Sequence, residues 1–393
     1  MSNPLLNRIG INGYRVIRTE ASQPLKIHVE PEVTASACLC CGGGRLRSKG
    51  RYQKVVRHLD RFGEPTCLVV HTRRMRCLDC HTTFLPPLPG LRPGRQSSEP
   101  FRENAYRQHD HGICISTLAR ILHIGSATIE RIYHQFTERK AKERSSLQCP
   151  MVLGIDEHTL HKGTRFATTF CDLKNHRVFN VVPGRSPREL SAYVSSLKGR
   201  ERVRVVCIDL SSPYRALIRK WFPNAKIVAD RFHVVRVVIA HFMALCREIA
   251  PEIKNKRGSL AVLRKNPDKL TQPEKLRLNA LFAAYPAFLP LYEQMHRLRS
   301  LLNQKHRRRR ECRPLARSLF TFINDLAKSG FEPLITLANT LRSWAEPIAC
   351  MWRFTKNNGI TEGFHRKMKL IQRRAYGFRN FRNYQLRVLA ACG

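Results

Sequence analysis

Acidic side chains are scarce in this chain: 29 aspartates and glutamates stand against 70 lysines and arginines in 393 residues, a formal net charge of +41. A compact fold with that excess repels itself, so a polyanionic partner is the natural compensation, with nucleic acid ahead of anionic lipid or heparin. Long hydrophobic runs are missing too. The longest, around Val203 to Ile208 and Val234 to Leu245, fall well short of the roughly 20 apolar residues of a membrane span, so no membrane partner is expected. Residues 1–13 lack a basic region followed by an apolar core, and no signal peptide is expected; the expected location is cytoplasm or nucleoid. Internal repeats and extended low-complexity tracts are also absent. Disorder is not the reason for these gaps, because 42% of the residues are hydrophobic, an ordinary fraction for a folded chain.

Cysteine, by contrast, is plentiful, with 14 residues. In a reducing compartment closely spaced cysteines read as metal ligands rather than disulfides. Cys38-Leu39-Cys40-Cys41 and Cys77-Leu78-Asp79-Cys80 form two C-x-x-C knuckles. Each knuckle aims two thiolates at one point, and the pair completes a tetrahedral four-thiolate Zn²⁺ site on Cys38, Cys41, Cys77 and Cys80. Cys40, inside the first knuckle, competes as a ligand. The other cysteines are scattered and read as small apolar residues.

Punctuation and periodicity divide the chain in three. Residues 1–95 carry alternating strand patterns at 14–18, 25–29 and 67–71 and close on the proline- and glycine-rich stretch Pro86 to Gly94, a linker signal. In 96–149, apolar residues at helical spacing over 116–122 and 127–133 flank a turn at His123 to Ser126, the pattern of a helix-turn-helix. In its second helix Ser126, Thr128 and Arg131 are the residues expected to face DNA. From 150 to 393, strands at 151–155, 166–173, 178–182, 203–208 and 225–229 are interleaved with helices at 188–197 and 214–221, which predicts an α/β sheet. Residues 234 to about 350 then read as helical, and a last helix follows Asn357-Asn358-Gly359.

In so basic a chain the positions of the acids carry information. Asp156 and Glu157 follow the strand 151–155, Asp209 ends the strand 203–208, Asp230 ends the strand 225–229, and Glu362 opens the late helix. Carboxylates at the ends of neighbouring strands can converge, and three of them suit a pair of hard divalent cations with phosphate oxygens completing the coordination. Caps and surface ion pairs are the bland alternative for each acid taken singly.

Segments along nearly the whole chain resemble the ISL3 family of insertion-sequence transposases. They are the two knuckles with Arg73-Arg74-Met75-Arg76 and Thr82-Thr83-Phe84 around the second; Gly154-Ile155-Asp156-Glu157; Pro183-Gly184-Arg185; Asp230-Arg231-Phe232-His233-Val234; Asn358 to Gly363; and Ala375-Tyr376-Gly377-Phe378-Arg379-Asn380. The first knuckle departs from the family's C-P-x-C form. The resemblance implies a multidomain α+β protein: an N-terminal zinc ribbon, a helix-turn-helix, and a ribonuclease-H-like α/β catalytic domain with a helical insertion at about 234–350. It implies a DNA transposase, nucleoid-associated in a bacterial cytoplasm, with structural Zn²⁺ and catalytic Mg²⁺ or Mn²⁺. Its partner is double-stranded DNA, the element's terminal repeats and the target, on which it acts as a homodimer or larger. Carried over residue by residue, the DDE triad falls on Asp156, Asp209 and Glu362, which hold the catalytic metal, with Asp230 and His233 as an accessory D-x-x-H element. Asp209 is preferred to Asp230 as second acid because the fourth strand of such a sheet carries it. Arg366, Lys367, Arg373 and Arg374 on the last helix are expected to hold DNA. The competing reading is a DNA-binding regulator with an inactive transposase domain.

Overall fold

Alternating β-rich segments at the N-terminal end pair into a sheet in which β1 (Tyr14–Glu20), β2 (Leu25–Pro31), β4 (Glu64–Cys77) and β3 (Leu46–Arg61) lie in that order. A short β5 (Thr83–Phe84) adds to β4. This is a computed structural model, and it describes residues 9–61, 63–145, 148–161, 164–254, 256–306, 308–354 and 359–393. The chain divides into two compact units, one ending at Lys142 and the other beginning at Glu143.

In the first unit β3 and β4 form one long antiparallel hairpin, paired from Arg61↔Glu64 to Leu46↔Cys77. One face buries Ile27, Val29, Val56, Leu68 and Val70 with Tyr14, Leu88 and Leu91. Three helices follow: α1 (Glu99–Asp110), α2 (Ile115–Leu122) and α3 (Ser126–Ser145). They share a second core of Phe101, Tyr106, Leu118, Leu122, Ile129, Ile132, Tyr133 and Phe136. Ser98 caps α1 by accepting from the Phe101 backbone N–H, and its hydroxyl also meets His58 Nδ1 of β3 at 2.7 Å. The helices expected as a domain of their own therefore pack with the sheet in one unit.

The second unit is built on β6 (Val152–His161), β7 (Arg165–Asp172), β8 (Arg177–Pro183), β9 (Val205–Ile208) and β10 (Lys226–Ala229), in the order β10-β9-β6-β7-β8. The first three form an antiparallel meander; β9 and β10 run parallel to β6. The connections to the parallel strands carry α4 (Pro187–Ser196), on a Ser186/Glu189 capping box, and α5 (Ser212–Trp221), capped by Ser211. The sheet core, with Leu153, Ile155, Phe170, Val181, Val206 and Ile208, is fully buried. After β10 the chain is helical: α6 (Arg231–Ile249), α7 (Arg257–Arg264), α8 (Gln272–Ala284), α9 (Phe288–Asn303), α10 (Arg309–Ala327), α11 (Glu332–Ser343), α12 (Ala345–Arg353), α13 (Gly359–Arg374) and α14 (Phe381–Cys392). α12 packs on β10, α13 on β6 and α14 on β8, which returns the C-terminal helices to the sheet. No helix among the described residues is long and apolar enough to cross a membrane. The chain is thus a mixed α+β protein with a four-cysteine ribbon in its first unit.

Candidate active site and metal centre

The β3–β4 register determines the cysteine cluster. Leu46↔Cys77 closes the hairpin, so the loop before β3 and the turn after β4 lie side by side, one knuckle on each. Gly42 at φ +74° and Gly43 turn the first knuckle; a Cβ on Gly43 would lie 2.3 Å from an Asp79 oxygen. Backbone N–H groups of Cys40, Gly43 and Asp79 donate to the sulfurs of Cys38, Cys41 and Cys77, each at 3.4 Å. The four Sγ atoms of Cys38, Cys41, Cys77 and Cys80 all lie within 4.8 Å of one another, with Cys38–Cys80 and Cys41–Cys77 each at 3.6 Å. A tetrahedron of thiolates at a Zn–S distance of about 2.3 Å has edges of roughly 3.8 Å, so the donor set fits that ion. Cys40 is exposed and outside the cluster, which resolves the competition within the first knuckle.

The acids are arranged by register of a different kind. β6 pairs in parallel with β9 as far as Gly154↔Cys207, and β10 pairs with β9 as far as Ala229↔Ile208. Two residues past the first pair stand Asp156 and Asp209, and one past the second stand Asp230 and Asp209. Three aspartates are therefore level across three neighbouring strands, at the carboxyl ends of the two short ones. Asp156 does not follow its strand, as expected from the sequence, but lies within it, because β6 outruns β9 and continues against β7 with Asp156↔Thr169 in register.

All three are buried or nearly so, and they feel one another. Burial first, then the neighbouring Asp209 against the relief of His233, pushes the Asp156 carboxyl up to about 7. Burial also raises Asp209. Asp230, 2% exposed, accepts from His233 Nδ1 at 2.6 Å, and that bond raises the His233 pKa. Asp209 Oδ1 and Asp230 Oδ1 are buried without a hydrogen-bond partner. An unpaired buried carboxylate oxygen is costly, and a proton or a divalent cation would satisfy it.

Glu362 is placed differently. It is half exposed, on the first turn of α13, and accepts from Arg366 at 3.0 Å. Among the described residues Asp156, Asp209 and Glu362, the carboxylates expected as a triad, do not all lie within 4.8 Å of one another; of groups of three or more potential ligands, only the four cysteines do. What α13 does bring to Asp156 is His365, three residues on and on the same helix face, with Nδ1 at 3.8 Å from Asp156 Oδ2. Asn357 and Asn358, the first two residues of the expected turn, lie outside the described residues.

Behind Asp156 runs a buried chain of side chains that the sequence reading missed. His365 Nε2 meets Thr169 Oγ1 at 3.1 Å, Thr169 Oγ1 meets His158 Nδ1 at 3.0 Å, and His158 Nε2 meets Tyr384 Oη at 2.8 Å. It ties β6, β7, α13 and α14 together beside the acid. Burial pushes His158 down to about 3 and His365 down to about 4, the latter helped by Lys369, so both rings are neutral near pH 7. The spacing of Asp156 and His158, two residues apart on a strand, and of Glu362 and His365, one turn apart on a helix, was the available signal.

The remaining sites are surface features. In α3, Ser126 and Arg131 are exposed and Thr128 is half buried, accepting from Arg131 at 3.1 Å, while Ile129 and Ile132 face the core. Arg366, Lys367, Arg373 and Arg374 are exposed on α13, and Lys367 bonds the Ala391 carbonyl.

Comparison with known proteins bears on both units. The family model for ISL3-type DDE transposases, described as a transposase, matches residues 153–388. A second, described as the zinc-finger of transposases IS204, IS1001, IS1096 and IS1165, matches residues 34–80. The transposase for insertion sequence element IS1001 of Bordetella parapertussis is 29% identical over 404 residues, covering 97% of this chain and 96% of that protein.

Proposed function

The chain belongs to the ISL3 family of transposases, and from that premise we propose how its residues divide the work. As a DNA transposase it binds DNA and cuts and joins DNA strands. We assign the catalytic role to a ribonuclease-H-like domain from residue 150 to 393, interrupted by the helices at about 234–350. We assign end recognition to the zinc ribbon of residues 1–95 and a helix-turn-helix within 96–149, α2 and α3. The observation that carries the catalytic assignment is the row of three level aspartates with two unpaired buried oxygens in a chain of charge +41.

Asp156, Asp209 and Glu362 would hold the catalytic cations, Mg²⁺ or Mn²⁺. Bound there, such ions activate the attacking oxygen and offset charge on the leaving oxygen of an in-line displacement. Asp156 is held by β6 and by His365 behind it. Asp209 presents its free oxygen beyond the end of β9. Asp230, tied by His233, supports the second acid from the next strand. Glu362 completes the set when α13 brings its first turn to the same end of the sheet. Arg366, which now occupies the Glu362 carboxylate, exchanges it for DNA phosphate alongside Lys367, Arg373 and Arg374. A Zn²⁺ ion on the four cysteines holds the ribbon. Two element ends have to be paired, so the active species on DNA is a homodimer or larger.

The test uses purified protein, Mg²⁺ or Mn²⁺, and a duplex carrying the inverted repeat that flanks the gene, with strand breaks mapped. Metal-dependent breaks at the repeat boundary, absent in Asp156→Ala, are expected. Specific binding without any break would replace this reading with the second one, a DNA-binding regulator with an inactive catalytic domain. The pairing of Glu362 with Arg366, in place of a shared site with the aspartates, is the observation that favours that second reading.

A further inference from the structure

Two segments singled out in the sequence, Pro183-Gly184-Arg185 and Ala375 to Asn380, have no part in the acid chemistry or the zinc ribbon. They nevertheless meet. Both line one cavity of about 650 Å³ in the second unit, within the roughly 300–1,000 Å³ of pockets that enclose a small ligand. The cavity is flanked by rings and guanidinium groups. Phe166 stands on one side with the Arg185 guanidinium 3.9 Å from its ring centroid. Phe378 and Phe381 line it too, packed on Tyr384 at 5.3 and 5.9 Å. Arg165, Arg185 and Arg379 are all exposed at its rim.

The walls are locally fixed. Gly184, at φ +89°, leaves no room for a Cβ, which would fall 2.5 Å from Glu189. Its carbonyl accepts from Thr168 at 2.8 Å. Glu189, the acid in the lining, is spent on the Arg185 and Ser186 backbone N–H groups and the Ser186 hydroxyl. The second segment bends at Gly377, φ +96°, whose Cβ position is open space. Two of its lining residues connect it with the strand that carries Asp156. Arg185 lies 3.9 Å from Glu157, the neighbour of Asp156, and Tyr384 is the far end of the chain His365–Thr169–His158.

Aromatic faces with a cationic rim recognise an unstacked nucleobase and its phosphates, because every base offers a π-face and every nucleotide an anion. We propose that this cavity receives one nucleotide turned out of the DNA duplex beside the bond to be cut, its base between Phe166 and Phe378 and its phosphates on Arg165, Arg185 and Arg379. Turning out one nucleotide bends the strand locally and exposes the adjoining phosphodiester to the acids next door. The inference rests on the DNA-transposase reading and adds a ligand site to it.

The experiment uses the full chain with Ca²⁺ in place of Mg²⁺ and duplexes of the flanking inverted repeat carrying 2-aminopurine at successive positions across the boundary. Wild-type protein is expected to change the emission several-fold at one position and leave its neighbours unaltered. Phe378→Ala and the surface variant Arg379→Glu should abolish that change, with strand cleavage in Mg²⁺ down roughly five- to a hundredfold, the range for loss of one stacked base. An abasic site at the responding position should restore cleavage to Phe378→Ala, which a misfolded variant would not permit. Emission unchanged at every position overturns the proposal, whether or not the duplex is cut. So does a response that survives in both variants. An emission change with no cleavage leaves the cavity assigned and removes the catalytic reading instead.

Discussion

The four thiols and the acids make an instructive pair. The thiols already stand within 4.8 Å of one another, although 35 residues separate the knuckles. The acids do not, although three of them are level on adjacent strands. The difference lies in what positions each set. A single hairpin, paired along its length with register shifts at Ser48/Gly50 and His58/Arg61, delivers both knuckles to one end. The acid set needs three strands and also a helix that begins about 130 residues after β10. A closed structural site is a local product of one register, whereas an open catalytic one joins remote elements and keeps a position free.

The comparison breaks most sharply at the ribbon. Structural zinc supplies folding free energy directly, with apparent values of about 10–16 kcal/mol in small zinc domains. Cys38→Ser or Cys77→Ser should therefore cost the bound Zn²⁺, one per chain by metal analysis, and open the ribbon to protease while the second unit stays resistant. A zinc-free preparation with a protease-resistant ribbon would remove the ion from the account. The acids should behave in the opposite way. Asp156→Ala, Asp209→Ala and Glu362→Ala are expected to leave zinc content and DNA binding near wild type. Each should remove several kcal/mol of transition-state stabilisation, roughly a thousandfold or more in rate. Glu157→Ala and Asp230→Ala should lose less. If Asp230→Ala abolishes strand cleavage and Asp209→Ala does not, the second acid is Asp230.

The same contrast governs what could be read from the sequence. Cysteine spacing states its geometry almost outright, and the knuckles were legible to the residue. The strand that joins them was not: β3, Leu46–Arg61, presents mostly exposed basic and polar side chains and has no clean alternation to betray it. β6 was read as ending at Ile155 because Asp156, Glu157 and His158 are polar. It continues because His365 and Tyr384 cover that polar end with hydrogen-bond partners and burial, and both come from more than 200 residues away. The level row of aspartates was foreseeable from strand ends, but only pairing fixes the register. The cavity on Arg185 and Phe378 was invisible, since neither segment carries a chemical signature without the other.

The burial of Asp156 gives the comparison a pH axis. Its folded value of about 7 lies above the ordinary carboxyl value of about 3.9, and Asp209 is raised in the same direction. Between those values these two carboxyls hold more protons in the folded state than in the unfolded one, so their share of the stability without metal falls as pH rises from about 4 to about 7, while the lowered values of His158 and His365 act in the opposite direction. Asp156→Asn removes the Asp156 share of that dependence and leaves the shares of Asp209, His158 and His365. In Mg²⁺-free buffer it should stabilise the second unit at pH 8 by on the order of 1–3 kcal/mol and do little at pH 4. Thermal melts at the two pH values measure it. Added Mg²⁺ should raise the wild-type midpoint more at pH 8 than at pH 5, and the Asn variant should respond less. A difference between wild type and the Asn variant that is the same at pH 4 and pH 8 would mean the carboxylate is already compensated.

The smallest effects concern the charge that is not in either site. Arg131 is exposed on α3 with its neighbours Ile129 and Ile132 buried, as a base-reading residue needs. A base contact discriminates: Arg131→Ala should weaken binding to the element end by roughly 1–3 kcal/mol and leave binding to random duplex nearly unchanged. The cations of α13 differ, because Arg366, Lys367, Arg373 and Arg374 lie exposed along a helix whose first turn carries Glu362. Contacts from such a face go to phosphate, and each phosphate neutralised contributes about 0.9 to the slope of log affinity against log salt. Arg373→Ala with Arg374→Ala should therefore lower that slope by up to about 2, equally for end and random duplex. The basic run Lys305 to Arg310, of which Arg307 lies outside the described residues, is tested by the same slope. An unchanged slope after either replacement assigns that run to solvent, and an equal loss on both duplexes from Arg131→Ala moves that residue from the bases to the backbone.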